Sequence, residues 1–69
     1  MNKGLKNKII KEYYELTLYE FESGFSLQDI EIMLYEYEDK EMYLECAGIH
    51  LAIEYIILYT YIEHLTINK

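Results

Sequence analysis

Three side chains that could bind a metal ion or act in catalysis follow one another along the C-terminal half of the chain. Cys46, His50 and Glu54 stand four residues apart, so on a helix they line successive turns of one side. At a rise of about 1.5 Å per residue the outer two lie about 12 Å apart, too far to bind one ion. We therefore interpret Cys46 as a buried thiol and His50 with Glu54 as a pair at i, i+4 spacing. No metal or other cofactor is expected.

A nucleophilic active site is not expected either. Such a site needs a serine or cysteine that is activated by a base, with a third group orienting that base. Cys46 is the only cysteine, it falls on an apolar helix side, and hydroxyl side chains other than tyrosine are few. We interpret the chain as a binding protein and not as an enzyme. A lone cysteine also excludes an internal disulfide and is typical of a reducing cytoplasm.

Carboxylates and tyrosines dominate the remaining polar chemistry. The 69 residues include 13 acids and nine tyrosines, the net charge is −7, and arginine is absent. Four lysines give residues 1–11 a charge of +4, whereas residues 12–68 hold all 13 acids against Lys40 alone. Nucleic acids are bound through cations along their phosphates, so direct nucleic-acid binding is not expected. The expected partner is a basic protein, of the kind that itself binds nucleic acid.

Helices must position these side chains, because no proline and only three glycines interrupt the chain. The first predicted helix runs from Leu5 to Glu22, with a short strand from Leu16 to Phe21 as the alternative. Its apolar side holds Leu5, Ile9, Ile10, Tyr13, Tyr14, Leu16, Thr17 and Phe21. Its polar side holds Lys8, Lys11, Glu12, Glu15, Leu18, Tyr19 and Glu22.

The second helix has the clearest start. Gly24 predicts the end of the first helix, and Ser26 with Asp29 three residues on predicts a capping box. The helix then runs from Leu27 to Tyr37, with a strand from Ile30 to Tyr37 as the alternative. Its apolar side holds Leu27, Ile30, Met33, Leu34 and Tyr37, whereas Ile32 and Tyr35 point the other way.

The third predicted helix, from Glu41 to Leu65, is apolar on two sides. One side is a heptad-like series at spacings of four and three: Leu44, Gly48, Leu51, Tyr55, Leu58, Ile62 and Leu65. The other holds Met42, Cys46, Ile49, Ile53, Ile56 and Ile57. Two shorter helices cannot cover both sides fully. We expect a symmetric homodimer through Ile49, Ile53, Ile56 and Ile57, the alternative being full coverage within one chain.

These elements predict an all-α fold in which residues 1–69 form one domain, with two shorter amphipathic helices on a long C-terminal helix. The 17 residues from Cys46 to Ile62 are the only membrane candidate. His50 and Glu54 near their middle make insertion costly, so a one-span membrane peptide is the less favoured interpretation. Abundant isoleucine, tyrosine, glutamate and lysine without arginine or proline are typical of an AT-rich genome, which suggests the cytoplasm of a low-GC bacterium.

Two acidic strips with exposed aromatic or aliphatic residues are the predicted partner-binding surface. The first holds Glu31, Ile32, Tyr35, Glu38 and Asp39, and the second holds Glu12, Glu15, Tyr19 and Glu22. Our leading hypothesis is an inhibitor that occupies the basic surface of a nucleic-acid-binding host protein, as phage-encoded anti-CRISPR, anti-restriction and anti-repressor proteins do. The alternative is a helix-bundle interaction module, such as an antitoxin, immunity protein or accessory regulatory subunit, that acts through apolar helix faces.

Overall fold

The computed structural model describes the backbone of residues 3–67 and the side chains of residues 3–65. It consists of three helices, α1 (Lys3–Glu22), α2 (Leu27–Asp39) and α3 (Tyr43–Ile67). The predicted all-α fold of two shorter helices packed on a long third one is confirmed. Residues 16–21 and 30–37, for which a strand was the alternative, are both helical.

Two turns of the same kind end α1 and α2. At the end of α1, Gly24 has a φ of 114°, the N–H of Phe25 donates to the carbonyl of Glu20 at 3.1 Å, and the N–H of Gly24 donates to Phe21 at 3.2 Å. These bonds form a Schellman motif, in which glycine takes the left-handed conformation without a steric cost. The predicted stop at Gly24 is therefore confirmed.

At the end of α2 the left-handed residue is Glu41, with a φ of 58°. The N–H of Met42 donates to the carbonyl of Tyr37 at 3.0 Å, and the N–H of Glu41 donates to the carbonyl of Glu38 at 2.9 Å. This second Schellman motif places Glu41 between helices, so the predicted start of α3 at Glu41 is wrong by two residues. A glutamate at this position gives no sequence signal, because glycine or asparagine usually occupies it.

The start of α2 is fixed by the capping box that the sequence predicted. The backbone N–H of Asp29 donates to the hydroxyl of Ser26 at 3.1 Å, and the N–H of Ser26 donates to the carboxylate of Asp29 at 3.0 Å. Both bonds satisfy N–H groups that no helical carbonyl can reach. Two reciprocal hydrogen bonds thus set where α2 begins and in which direction it leaves the turn.

The three helices run up, down and up around one core. Gly48 of α3 lies against Tyr13 and Tyr14 of α1, and further along both helices Phe21 and Ile56 line a common pocket, so α1 and α3 run in the same direction. Both α1 and α2 contact α3 more extensively than they contact each other. α3 is therefore the element on which the other two helices rest.

The core forms where α1 and α2 cover one side of α3. Its buried apolar members are Ile30, Leu34, Cys46, Ile49, Ala52 and Ile56. Thr17 is buried among them, and its hydroxyl is satisfied because it donates to the carbonyl of Tyr13 at 2.7 Å. On α1 three predicted environments are wrong: Leu18 packs against this core, whereas Leu5 and Leu16 are 46% and 45% exposed.

The C-terminal turns of α3 extend past its two neighbours. α1 has 20 residues and α3 has 25, or about 30 Å and 37 Å at 1.5 Å per residue, within a molecule 48 Å long. Phe21 near the end of α1 and Leu27 near the start of α2 line a pocket whose α3 residues extend to His64. Beyond that level neither shorter helix is available to cover α3.

Candidate protein-binding surface

α2 presents the first predicted acidic strip to solvent. Ile30 and Leu34 are buried against α3, so the opposite side of the helix faces outward. On that side Ile32 is 51% exposed and Tyr35 is 64% exposed. The carboxylates predicted beside them, Glu31, Glu38 and Asp39, are exposed as well. All five residues therefore lie at the surface.

The charge of this surface is unbalanced. The 13 residues of α2 carry Asp29, Glu31, Glu36, Glu38 and Asp39 and no lysine. Lys40 follows the helix, and its Nζ lies 6.0 Å from the centre of the ring of Tyr37, a residue that packs against the core. Exposed carboxylates thus surround two exposed side chains, Ile32 and Tyr35, that can lose contact with water on binding. We call Glu31, Ile32, Tyr35, Glu38 and Asp39 the α2 surface.

The second predicted strip, on α1, has a more mixed charge. Glu12, Glu15, Tyr19 and Glu22 are all exposed, with Tyr19 at 68%. Lys8 and Lys11 share this outward side and are exposed too. Because the lysines partly balance the carboxylates, the α1 strip has a weaker negative field than the α2 surface.

The residues predicted to form a dimer are mostly part of the core. Ile49 is 0% exposed and Ile56 is 4% exposed, Ile53 packs partly buried against them, and only Ile57 is exposed, at 53%. The prediction that Ile49, Ile53 and Ile56 face a second copy is wrong, because α1 and α2 together cover that side of α3. The expected homodimer itself stays a prediction.

The apolar surface that sequence reasoning missed lies on the opposite side of α3. Of the heptad-like series, Leu44 is partly buried and Gly48 is buried against α1, but the members from Leu51 onward are about half exposed. Leu51 is 48%, Leu58 57% and Leu65 53% exposed. No sequence signal showed which of the two apolar sides of α3 the shorter helices would cover, and they cover the side of Ile49 and Ile56.

Aromatic rings line the groove between α1 and this side of α3. Tyr14 of α1 meets Tyr55 edge to face at 6.4 Å between ring centres, and Tyr55 stacks on Tyr59 at 6.3 Å. The groove has a volume of about 500 Å³ and is lined by Ile10, Tyr14, Leu51, Tyr55 and Leu58 together with Asn7, Lys11 and Glu54. It is open to solvent along its length.

The side chains that could do chemistry lie apart. Cys46 is buried as predicted, and burial raises the pKa of its thiol, with Glu38 and Glu45 adding to the effect. Burial likewise raises the pKa of Tyr37, which packs edge to face on Tyr13 at 5.5 Å. His50 and Glu54 are exposed. Across the described part of the chain, no three histidine, cysteine or acidic side chains come together as a metal site.

Within residues 3–67, none of the helices combines the length and hydropathy that crossing a membrane requires. No family model, curated protein or solved structure matches the chain.

Proposed function

We propose that the chain is a small acidic binding protein that inhibits a nucleic-acid-binding protein by occupying its basic surface. The observation that carries the proposal is the α2 surface, where carboxylates without a lysine on the same helix surround the exposed Ile32 and Tyr35. Glu31 and Glu38 stand seven residues, or about 10.5 Å, apart along the helix, which is about three phosphate steps along one strand of duplex DNA. They can therefore meet cations that are arranged to bind a nucleic acid.

The two kinds of side chain on the α2 surface have separate tasks in this mechanism. The carboxylates attract a basic surface over several ångströms and speed the encounter, an effect that salt screens. Tyr35 and Ile32 then lose their water and stabilise the complex, as a tyrosine anchor ringed by polar residues does at many interfaces. The chain acts in this way by blocking a surface, and it needs neither cofactor nor catalytic group.

The test is capture from a nuclease-treated lysate of a low-GC bacterium, with immobilised wild-type chain, followed by elution with duplex DNA. We expect a bound protein that DNA displaces and that is released between about 50 and 200 mM salt, because basic grooves bind polyanions through screened charges. The double variant Glu31→Gln/Glu38→Gln should bind the purified protein about tenfold more weakly, through a slower association rate.

A matched control separates the α2 surface from net charge. Glu54→Gln/Glu63→Gln also removes two negative charges, from exposed positions of α3, and should keep wild-type affinity. Equal loss of affinity in both double variants, or a captured protein that DNA does not displace, contradicts the proposal.

A second candidate function rests on a different observation, the exposed apolar residues of α3. A helix-bundle module, such as an antitoxin, immunity protein or accessory subunit, would bind its partner through Leu51, Leu58 and Leu65, each about half exposed. Binding that survives Glu31→Gln/Glu38→Gln and is lost in Leu51→Ala/Leu65→Ala would favour this module over the inhibitor.

A further inference from the structure

The exposed side of α3 is too apolar to be explained as ordinary surface. Leu51, Tyr55, Leu58, Ile62 and Leu65, which we call the α3 seam, are 48–57% exposed, and Tyr59 and Tyr61 beside them are 55% and 60% exposed. A half-exposed side chain of this size leaves about 100 Å² in water. Together the seven leave about 700 Å² per chain, more than the largest apolar patch of a typical monomer.

This area is what a stable dimer needs. Specific interfaces bury about 800 Å² per partner, and the groove beside α1 adds Ile10 and Tyr14 to the α3 seam. The charge of the segment also permits two acidic chains to approach, because residues 51–65 carry only Glu54 and Glu63 and no lysine. By contrast, the α2 surface would repel its own copy.

The spacing of the α3 seam is compatible with pairing to itself. Its members recur every four and three residues, the repeat with which one helix packs along another. Leu58 stands at the middle, with Leu51 and Leu65 both seven residues away. A twofold axis through Leu58 therefore brings Leu51 of one copy to Leu65 of the other.

We propose that a second copy of the chain binds the α3 seam, with the two α3 helices antiparallel and Leu58 of each copy at the twofold axis. In this arrangement the C-terminal turns of each α3 lie in the groove of about 500 Å³ between α1 and α3 of the other copy. Antiparallel helices also set their dipoles favourably. We favour the antiparallel pair because a parallel pair would leave both grooves open. This proposal does not depend on the proposed function, because the α2 surface stays outside the interface.

The first experiment is sedimentation equilibrium of the purified chain at high micromolar concentration. We expect twice the 8.4 kDa mass of one chain. Leu58→Glu should raise the dissociation constant of the dimer by about 100-fold, because it places two like charges together at the centre of the interface. Its helical circular dichroism should remain, since Leu58 is 57% exposed in the single chain.

Ile32→Glu is the matched control, because Ile32 is similarly exposed at 51% but lies on α2. It should leave the dimer intact while weakening any complex through the α2 surface. A wild-type chain that sediments at 8.4 kDa, a larger assembly than two copies, or a Leu58→Glu dimer of wild-type strength overturns the proposal. If the α3 seam instead binds another protein or a lipid surface, the wild-type chain sediments as a monomer of 8.4 kDa.

Disulfide trapping tests the antiparallel direction. In a Cys46→Ala background, chains with Leu51→Cys and size-tagged chains with Leu65→Cys are mixed and oxidised. We expect disulfides between positions 51 and 65 to exceed those between equal positions. Trapping mainly between equal positions shows a parallel pair and overturns the arrangement.

Discussion

Gly48 is a residue at which the backbones of α1 and α3 pack directly against each other. A Cβ placed there would lie 2.9 Å from the Cβ of Tyr13 and 2.9 Å from the backbone nitrogen of Tyr14, and still nearer the carbonyl oxygen of Ile10. Two of these three atoms belong to the backbone, so they can move away only if the whole of α1 shifts. The absence of a side chain at one position thus sets the distance between the two longest helices.

We predict that Gly48→Ala destabilises the protein by about 1–3 kcal/mol, the usual cost of overpacking. Alanine favours a helix over glycine by about 1 kcal/mol, and this gain should not offset the clash with α1. The measurement is urea unfolding followed by circular dichroism. Gly4→Ala, at an exposed position of α1, is the control and should be neutral or slightly stabilising. Increased stability of Gly48→Ala would mean that α1 does not approach α3 this closely.

At the scale of single elements, the helix ends show how much the sequence could predict. The capping box of Ser26 and Asp29 and the stop at Gly24 were predicted because serine, aspartate and glycine have distinctive local conformations. The apolar side of α2 followed from its periodicity. The start of α3 was missed because Glu41 has a left-handed backbone conformation, which a glutamate in the sequence does not predict. The exposed side of α3 was missed because which of two apolar sides gets covered depends on tertiary packing.

The left-handed Glu41 leads to an element-scale prediction. A non-glycine residue in this conformation costs roughly 1 kcal/mol, and glycine avoids the cost at the expense of a more flexible unfolded chain. We expect Glu41→Gly to stabilise the protein by about 0.5–1 kcal/mol in thermal and urea unfolding. Asp39→Gly, at the last residue of α2, is the comparison and should destabilise by about 1 kcal/mol. Loss of stability in Glu41→Gly would contradict the assigned turn.

At the scale of the whole molecule, the distribution of charge separates two kinds of surface. The acids of α2 face water without a lysine on the same helix, whereas the exposed C-terminal half of α3 is mostly apolar. The net charge of −7 makes the folded chain repel itself. Salt should therefore stabilise the fold even as it weakens a complex with a basic partner.

We predict that the melting temperature rises by a few degrees between about 10 and 200 mM sodium chloride, as screening reduces repulsion among the carboxylates. Glu31→Gln/Glu38→Gln has a net charge of −7 + 2 = −5, so its gain should be smaller. The comparison is made by calorimetry at one chain concentration, because association would itself raise the melting temperature. A melting temperature that falls with salt would show that attractive charge pairs dominate instead.

The way in which α1 and α2 both rest on α3, and little on each other, has a consequence for biosynthesis. A nascent chain that ends before Tyr43 carries the apolar sides of two helices and almost nothing to cover them. Ile30 and Leu34 gain their burial only once α3 has emerged from the ribosome, since Cys46, Ile49 and Ile56 complete the cluster to which they belong. The core therefore cannot be assembled stepwise during translation, and it must wait for α3.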